Sequence, residues 1–499
     1  MLAMLAALVA SGCAKAERDG SSLIVLLPRD VQELDPRLTG DAYGHKVSRL
    51  LFASLVTLDP DTLAPALDLA EHIDELDPIT YRVRLRSGLR FSDGSALDAR
   101  DVVATFESVV APAMQSRYAS TYRRIARMTI EDPLTVRFTL TGPHATFITD
   151  LELPVVREED RATQLGRLGR SAPVGSGPYV LEARGEGRLR LRANPHWHRG
   201  SVKRPSVELL VVRDDNTRAL RLLAGAGDVA INAVPPLLLP LFTDDAAFTV
   251  QSAPGAGMTY LGLNLEAPVF ADRRVRAALA HAIDRDALIR AKLGGRARLA
   301  DGFLPPQHWA QSPFPAHAYD PARARALLDA AGKRPNASGE RIRVALRCGS
   351  DRARVSIARA IAAMLAEVGV HVDVRPTETA TLIAALNHGQ FELSFLQVPE
   401  VVEPHLLSWF FGADHIPGPN VEGANRWRLR SAELDAALER GRLTTDRAQR
   451  IEAYRTAHRV LHEELPVIPL WHEDVVVIAA SRVGAVGVSR LGRFDPLAQ

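Results

Sequence analysis

The stretch TYRVRLRSGLRFSDGSALDARDVVATFESV, residues 80–109, decides how the first part of the chain is organised. Tyr81 to Leu85 alternates apolar and charged side chains, the pattern of a strand with one buried face. Ser92-Asp93-Gly94 supplies the residues of a turn. Asp98 then opens a helix. Its carboxylate is placed to cap the free amides, Asp101 suits the positive end of the helix dipole, and Val102, Val103 and Phe106 supply a buried stripe. With a further strand from Thr135 to Leu140, this reads as a small α/β unit.

Upstream, the apolar run Ser22 to Leu27 ends at Pro28 and reads as a buried strand, and Leu34-Asp35-Pro36 makes a turn. From Tyr43 to Leu58, the spacing of Val47, Leu50, Leu51, Leu55 and Leu58 predicts one amphipathic helix closing at Asp59-Pro60. Downstream, the chain turns at Gly175-Ser176-Gly177-Pro178-Tyr179 and starts strands at Arg188 to Arg192 and Val207 to Val212, then a helix from Asp215 to Leu223. Beyond Tyr260, helices at Arg274 to Arg290 and Ser356 to Val368 alternate with strands at Ile342 to Leu346 and Val370 to Val374. That order predicts βα units on a partly parallel sheet.

A chain of 499 residues exceeds what a single core usually organises, so two or three lobes are expected. With 61 basic and 59 acidic residues the formal charge is only +2, which excludes an electrostatic footprint for nucleic acid. Two cysteines, Cys13 and Cys348, exclude a disulfide framework and a four-cysteine zinc site. Cys348, beside an alternating strand, reads as a small buried hydrophobe.

MLAMLAALVASG, residues 1–12, is an apolar run too short to span a bilayer, and it ends in small residues before Cys13. It reads as a signal segment followed by a lipidated Cys13, with residues 13–22 a tether. No positive charge precedes Cys13, so an upstream start is expected.

No phosphate loop, nucleophile elbow or HExxH motif occurs, and the chain reads as a non-enzyme with no cofactor and no metal. His458 and His462 share one helix face, with Glu463 as a possible third ligand, but the spacing reads as an ordinary helix surface. His196 and His198 read as opposite sides of a strand.

LDPRLTGDAYGHKVSRLLFASLVTLDPD (34–61), the stretch quoted at the outset, PVGSGPYVL (173–181), NPHWHRG (194–200), DDNTRALRLLAGAGDVA (214–230), YLGLNLEAPVFADRRVRAALAHAIDRDALI (260–289), YDPARARALLDAAG (319–332) and YRTAHRVLHEELPVIPLW (454–471) follow one another in order. Together they resemble the peptide/nickel-binding family of solute-binding proteins that serve bacterial ABC importers. The resemblance implies an α/β fold, two lobes of the periplasmic-binding-protein type with an extra inserted α/β domain. It divides the chain into lobe I (23–52, 173–255 and 472–499), an inserted domain (53–172) and lobe II (256–471). The function implied is that of a monomeric receptor in the periplasm or cell envelope, which captures a small solute, most simply a peptide, in the interlobe cleft. The receptor would then deliver it to ABC permease subunits, touching the membrane only through its lipid. The same fold binding nickel, a metal chelate or another small solute, or a sensory lipoprotein without transport, stays open.

In peptide-binding members of that family the ligand lies as an added strand against backbone, here at Thr39, Gly40 and Asp41, with water-filled pockets for side chains. A second-lobe aspartate, three residues before an acidic-Pro pair, receives the peptide's ammonium. Glu403-Pro404 is the pair here and Glu400 stands in the aspartate's place, with Gln397 where a tryptophan is usual. Tyr118 matches a ligand-facing tyrosine or a core aromatic. Asn425 and Trp427 match a segment bordering the cleft, although Trp427 suits the second lobe's core equally. For Glu400, an interlobe ion pair is the competing role.

Overall fold

In the computed structural model, residues 22–166, 172–312, 314, 315, 317–419, 421 and 423–499 are described, and one long strand, Val467–Ala480, belongs to both large lobes. Its first half pairs antiparallel with Met258–Leu263, and its second half with Val229–Ile231 and Phe248–Pro254. The border expected between residues 471 and 472 therefore falls inside a strand. Cys13 and the segment before it lie outside the described residues.

In the first lobe, Ser22–Leu27 runs parallel to both Ser206–Val211 and Val229–Ile231. Val25 and Leu27 join one core with Phe52 and Leu191, while Leu26 joins another with Leu222 and Phe242. Burial on both faces explains why this strand is apolar throughout instead of alternating. In the second lobe, Ile342–Gly349 runs parallel to Val370–Thr377 and to Leu393–Val398, as its βα order predicts. Cys348 is buried there with Phe395 and Trp471.

The inserted domain is a four-stranded antiparallel sheet ordered Ala70–Asp77, Thr80–Leu85, Thr135–Leu140, Ile125–Asp132. The helix Ala99–Val110 covers it, with Phe106 edge-on to Phe138 at 5.5 Å. Asp98 caps that helix, and Asp101 returns a bond to the Asp98 amide at 2.9 Å, so both carboxylates satisfy amides that the helix leaves free.

Four local expectations need correction. The helix predicted from Tyr43 to Leu58 is Ala42–Leu51; Phe52 turns extended where the Gly177 amide donates to the Leu51 carbonyl at 2.9 Å, and Val56–Leu58 becomes a strand against Pro65–Leu67. Arg274 to Arg290 is two helices, Arg273–Ala282 and Arg285–Leu293, because Asp284 caps the second by accepting from Ala287 N at 2.8 Å. Tyr179–Gly185 is a strand that its turn-rich start concealed. His196 and His198 sit in turns, and His198 faces Asp68 at 2.8 Å.

One buried ion pair joins the LDP turn to the inserted domain. Arg37, fully buried, gives Asp35 two bonds of 2.9 and 2.7 Å, and its remaining N–H groups reach Ser108 Oγ at 3.1 Å and the Arg161 carbonyl at 3.0 Å. Losing one partner of such a pair strands a charge in a dry interior. Asp35→Asn is expected to lower stability by about 3 to 5 kcal/mol, read as a fall in the urea midpoint at unchanged slope.

Candidate functional site

Asp41 starts the helix Ala42–Leu51 by accepting from Tyr43 N at 3.1 Å and Gly44 N at 2.8 Å. Val47, Leu50 and Leu51 then anchor one face in the first lobe's core. Helical spacing leaves His45, Lys46 and Arg49 on the other side. Arg49 donates to Glu152 of the inserted domain at 3.0 Å. Glu152 also accepts from Arg493, which belongs to the chain's last segment and donates in addition to Glu400 of the second lobe at 3.2 Å. With its side chain 2% exposed, Arg493 is therefore neutralised by carboxylates from two other domains.

The charges respond as that geometry requires. Burial works against the Arg493 charge, yet Glu152 and Glu400 outweigh it and hold the group above its ordinary range. Burial likewise works against ionised Glu400, and Arg493, Arg49 and Lys46 overcome it, so its carboxyl lies below the usual value. Lys46 is pushed down by burial. Its ammonium lies over the rings of Tyr43 and Phe494, 5.2 and 5.6 Å from their centres.

Beside this network is a cavity of about 240 Å³ between the first lobe and the inserted domain, lined by Thr39, His45, Arg49, Tyr118, Asp150 and Glu152 among others. The Tyr118 hydroxyl donates to the Thr39 carbonyl. It lies 2.8 Å from His45 Nε2, and Thr39 Oγ1 lies 3.2 Å from His45 Nδ1. With the tyrosine proton committed, Nε2 donates and Nδ1 accepts, so a neutral imidazole uses both nitrogens. Burial, with Arg49 close by, lowers His45 to about 4. A cavity of about 590 Å³ shares Arg49 and Glu152 and is lined also by Asp59, Asp68 and Asp495, of which Asp68 is held by His198 at 2.8 Å and Arg199 at 2.7 Å.

The structure thus brings Thr39 and Tyr118 to the cavity; Gly40, next in the chain, does not line it, and its carbonyl accepts from Arg117 at 3.1 Å. Asp41 spends its carboxylate on the helix cap. Glu400 sits in the interlobe ion pair. Glu403 is paired with Arg450 of its own lobe at 2.5 Å. Burial raises its carboxyl, although Arg450 opposes the shift.

Asn425 and Trp427 are corrected as cleft residues. Asn425, fully buried, donates to the Phe411, Gly412 and Leu429 carbonyls, and Trp427 packs edge-on to Tyr260 at 5.4 Å over Gly262, whose position has no room for a Cβ. On the helix Arg447–Glu464, His458 is buried, while His462 stacks with Phe314 at 5.5 Å. No group of three or more His, Cys, Asp or Glu among the described residues is placed to hold a metal.

Sequence reasoning missed His45, Lys46, Arg49, Asp150, Glu152 and Arg493. The three basic residues at 45, 46 and 49 opposite an apolar stripe were a usable signal; Glu152 and Arg493 carry no local pattern.

Residues 64–411 match the family model for bacterial extracellular solute-binding proteins, family 5 Middle. The chain is 28% identical over 491 residues to the glutathione-binding protein GsiB of Escherichia coli strain K12, covering 95% of this chain and 93% of that protein. Among solved structures, NikA from Brucella suis in complex with Fe(III)-EDTA aligns with a TM-score of 0.85 at 23% identity, over 95% of this chain and 99% of that one. The oligopeptide-binding protein AppA from Bacillus subtilis, in complex with a nonapeptide, aligns at 0.79 and 20% identity, over 96% and 98%. These structures share the two-lobed fold.

The pH response of His45 has a definite sign. A histidine held at about 4 in the native state and near 6.5 when unfolded costs nothing above pH about 6.5 and destabilises progressively as pH falls toward 4. Between pH 7.5 and pH 5.5 its share is about 1 kcal/mol, so His45→Gln is expected to reduce the acid-induced loss of stability by that amount in paired urea titrations.

Proposed function

The chain belongs to the bacterial extracellular solute-binding proteins of family 5, and from that premise we propose that it is the receptor of an ABC importer, capturing a peptide between its lobes and passing it to the permease. The observation that carries the closing mechanism is Arg493, whose guanidinium lies between Glu152 of the inserted domain and Glu400 of the second lobe. A buried guanidinium is costly unless carboxylates answer it, and of its two partners only Glu400 comes from the other large lobe, so bringing the lobes together completes the satisfaction of this charge. A solute that touches both lobes binds the closed arrangement better and draws the population toward it. Thr39 has both backbone groups committed, its amide to the Asp35 carbonyl at 3.0 Å and its carbonyl to Tyr118, so a peptide main chain would meet the exposed Gly40 beside it. Peptide is favoured over a metal chelate because the GsiB relative, matched over nearly its whole length, is named for glutathione, itself a tripeptide.

Glu400 serves in this reading as the second lobe's half of the closing contact. Two measurements test it. Small-angle scattering with a saturating peptide is expected to show a smaller radius of gyration than the ligand-free protein, and an unchanged radius removes closure from the account. Glu400→Gln is expected to enlarge the ligand-free protein and weaken all ligands by one common factor, because it acts on closure and not on any single ligand group.

Outside the membrane, the receptor is held by lipid on Cys13, with residues 13–22 as tether; two or three acyl chains give stable anchoring where one is marginal. Cys13→Ala is expected to move the protein from the membrane to the soluble fraction, and persistence of the variant in membranes refutes the anchor.

A further inference from the structure

The inserted domain meets the second lobe along a seam of its own. The Ala145 amide donates to the Arg442 carbonyl at 2.9 Å, the Arg442 guanidinium gives a bond of 3.4 Å to the Pro143 carbonyl, and Thr445 Oγ1 reaches Glu75 at 3.1 Å. Within this seam two imidazoles face each other across the domain boundary. His144 of the inserted domain and His405 of the second lobe stand edge to face, with ring centres 5.9 Å apart. Nδ1 of each ring is buried and has no hydrogen-bond partner among the described residues.

Fixed positive charge surrounds the pair. Arg124 of the inserted domain donates to His144 Nε2 at 2.5 Å, Arg442 comes from the helix Ala432–Leu443, and Arg450 from the helix Arg447–Glu464. The carboxylates here already answer other cations. Glu439 is paired with Arg442 and Glu403 with Arg450, while Asp150 lies 3.6 Å from His144 Nε2 and in the field of Arg124. Glu403 accepts from the His405 amide at 3.2 Å, a contact made through backbone. His415, on the short helix Ala413–His415, is placed differently, with Asp414 and Asp435 as countercharges. At His405, burial first, then His144, Arg124, Arg442 and Arg450, all act against a charge and bring the ring down to about 3.

We propose that His405 is an acid-sensitive latch between the lobes: neutral, it lets the inserted domain and the second lobe meet, and protonated, it drives them apart and loosens the hold on a solute. This rests on the closing motion proposed above and adds a condition that governs it. An imidazolium enclosed at this seam faces three guanidiniums and finds no carboxylate of its own, whereas the open form hydrates it. In the closed form His405 takes up a proton only near pH 3, and in the open form near the ordinary value of about 6.5. Closure is therefore undisturbed above pH about 6.5 and opposed progressively as pH falls below it. Between pH 7.5 and pH 5.5, one such histidine shifts the balance toward the open form by roughly ten-fold. His45 has no such part, because it lies between the first lobe and the inserted domain, which Arg37 holds together.

The test is small-angle scattering on the full soluble receptor, dialysed free of co-purified solute, at pH 7.5 and pH 5.5. The native radius of gyration is expected to grow at the lower pH and to recover on return, with the ratio of open to closed forms rising about ten-fold. His405→Gln is expected to stay compact at both values, and His405→Lys, which carries a fixed charge, to be expanded at both. His45→Gln is expected to respond as the native protein does. A native radius that ignores pH overturns the proposal, as does a response that survives in His405→Gln or disappears in His45→Gln. So does expansion of His405→Gln at pH 7.5, which marks a ring that only packs, and so does expansion that fails to reverse, which marks acid unfolding. Glu400→Gln separates the latch from closure itself. If that variant is enlarged at pH 7.5 while the native protein ignores pH, closure stands and the latch falls; if neither radius changes, both fall.

Discussion

The arrangement depends on one buried guanidinium. Arg493 comes from the last segment of the first lobe, and its charge is tolerable in a dry setting only because Glu152 and Glu400 meet it from the inserted domain and from the second lobe. In the proposed open form Glu152 stays with Arg493, and water takes the place of Glu400. Closure as proposed would exchange hydration for one charge-assisted bond, an exchange close to balance, which suits a receptor that must open again. A purely apolar seam of similar area would hold the lobes together without a ligand.

The same logic runs through the helix Ala42–Leu51. Its apolar face fixes it to the first lobe, so the basic face is delivered to the cavity with little freedom. Arg49 extends the network to Glu152, and His45 uses both ring nitrogens to hold Thr39 and Tyr118. The LDP turn just before it is fixed in turn by Arg37 and Asp35, a pair sealed away from solvent. In the proposed motion two guanidiniums divide the labour: Arg37 joins parts that stay together, and the Arg493–Glu400 bond joins parts that separate.

How much of this was legible follows from the range of each signal. Strands such as Ser22–Leu27 and Ile342–Gly349, and the Asp98 cap, could be read because alternation, apolar runs and capping act over a few residues. The helix starting at Ala42 was overrun because its stop coincides with a contact to Gly177, far along the chain, and not with a local breaker. In the site, the segments holding Thr39 and Tyr118 were found through resemblance. Arg493 was not, since its partners lie 93 and 341 residues away. Trp427 was left open between cleft and core because a large aromatic looks alike in both; the deciding fact, the empty Cβ position of Gly262, lies in a distant strand.

The distribution of charge also bears on how broad such a receptor's range can be. Where the protein matches its own charges, as at Glu400 and Glu403, a solute gains nothing by supplying another, and those residues discriminate little. Backbone groups, where a site presents them, read a main chain without regard to side chains. Discrimination then falls to whatever charge is left unmatched at the cavity wall, because an uncompensated group in a closing site penalises every solute that fails to answer it. A receptor with many such groups would be narrow, and one with none would hold its ligands in no fixed orientation.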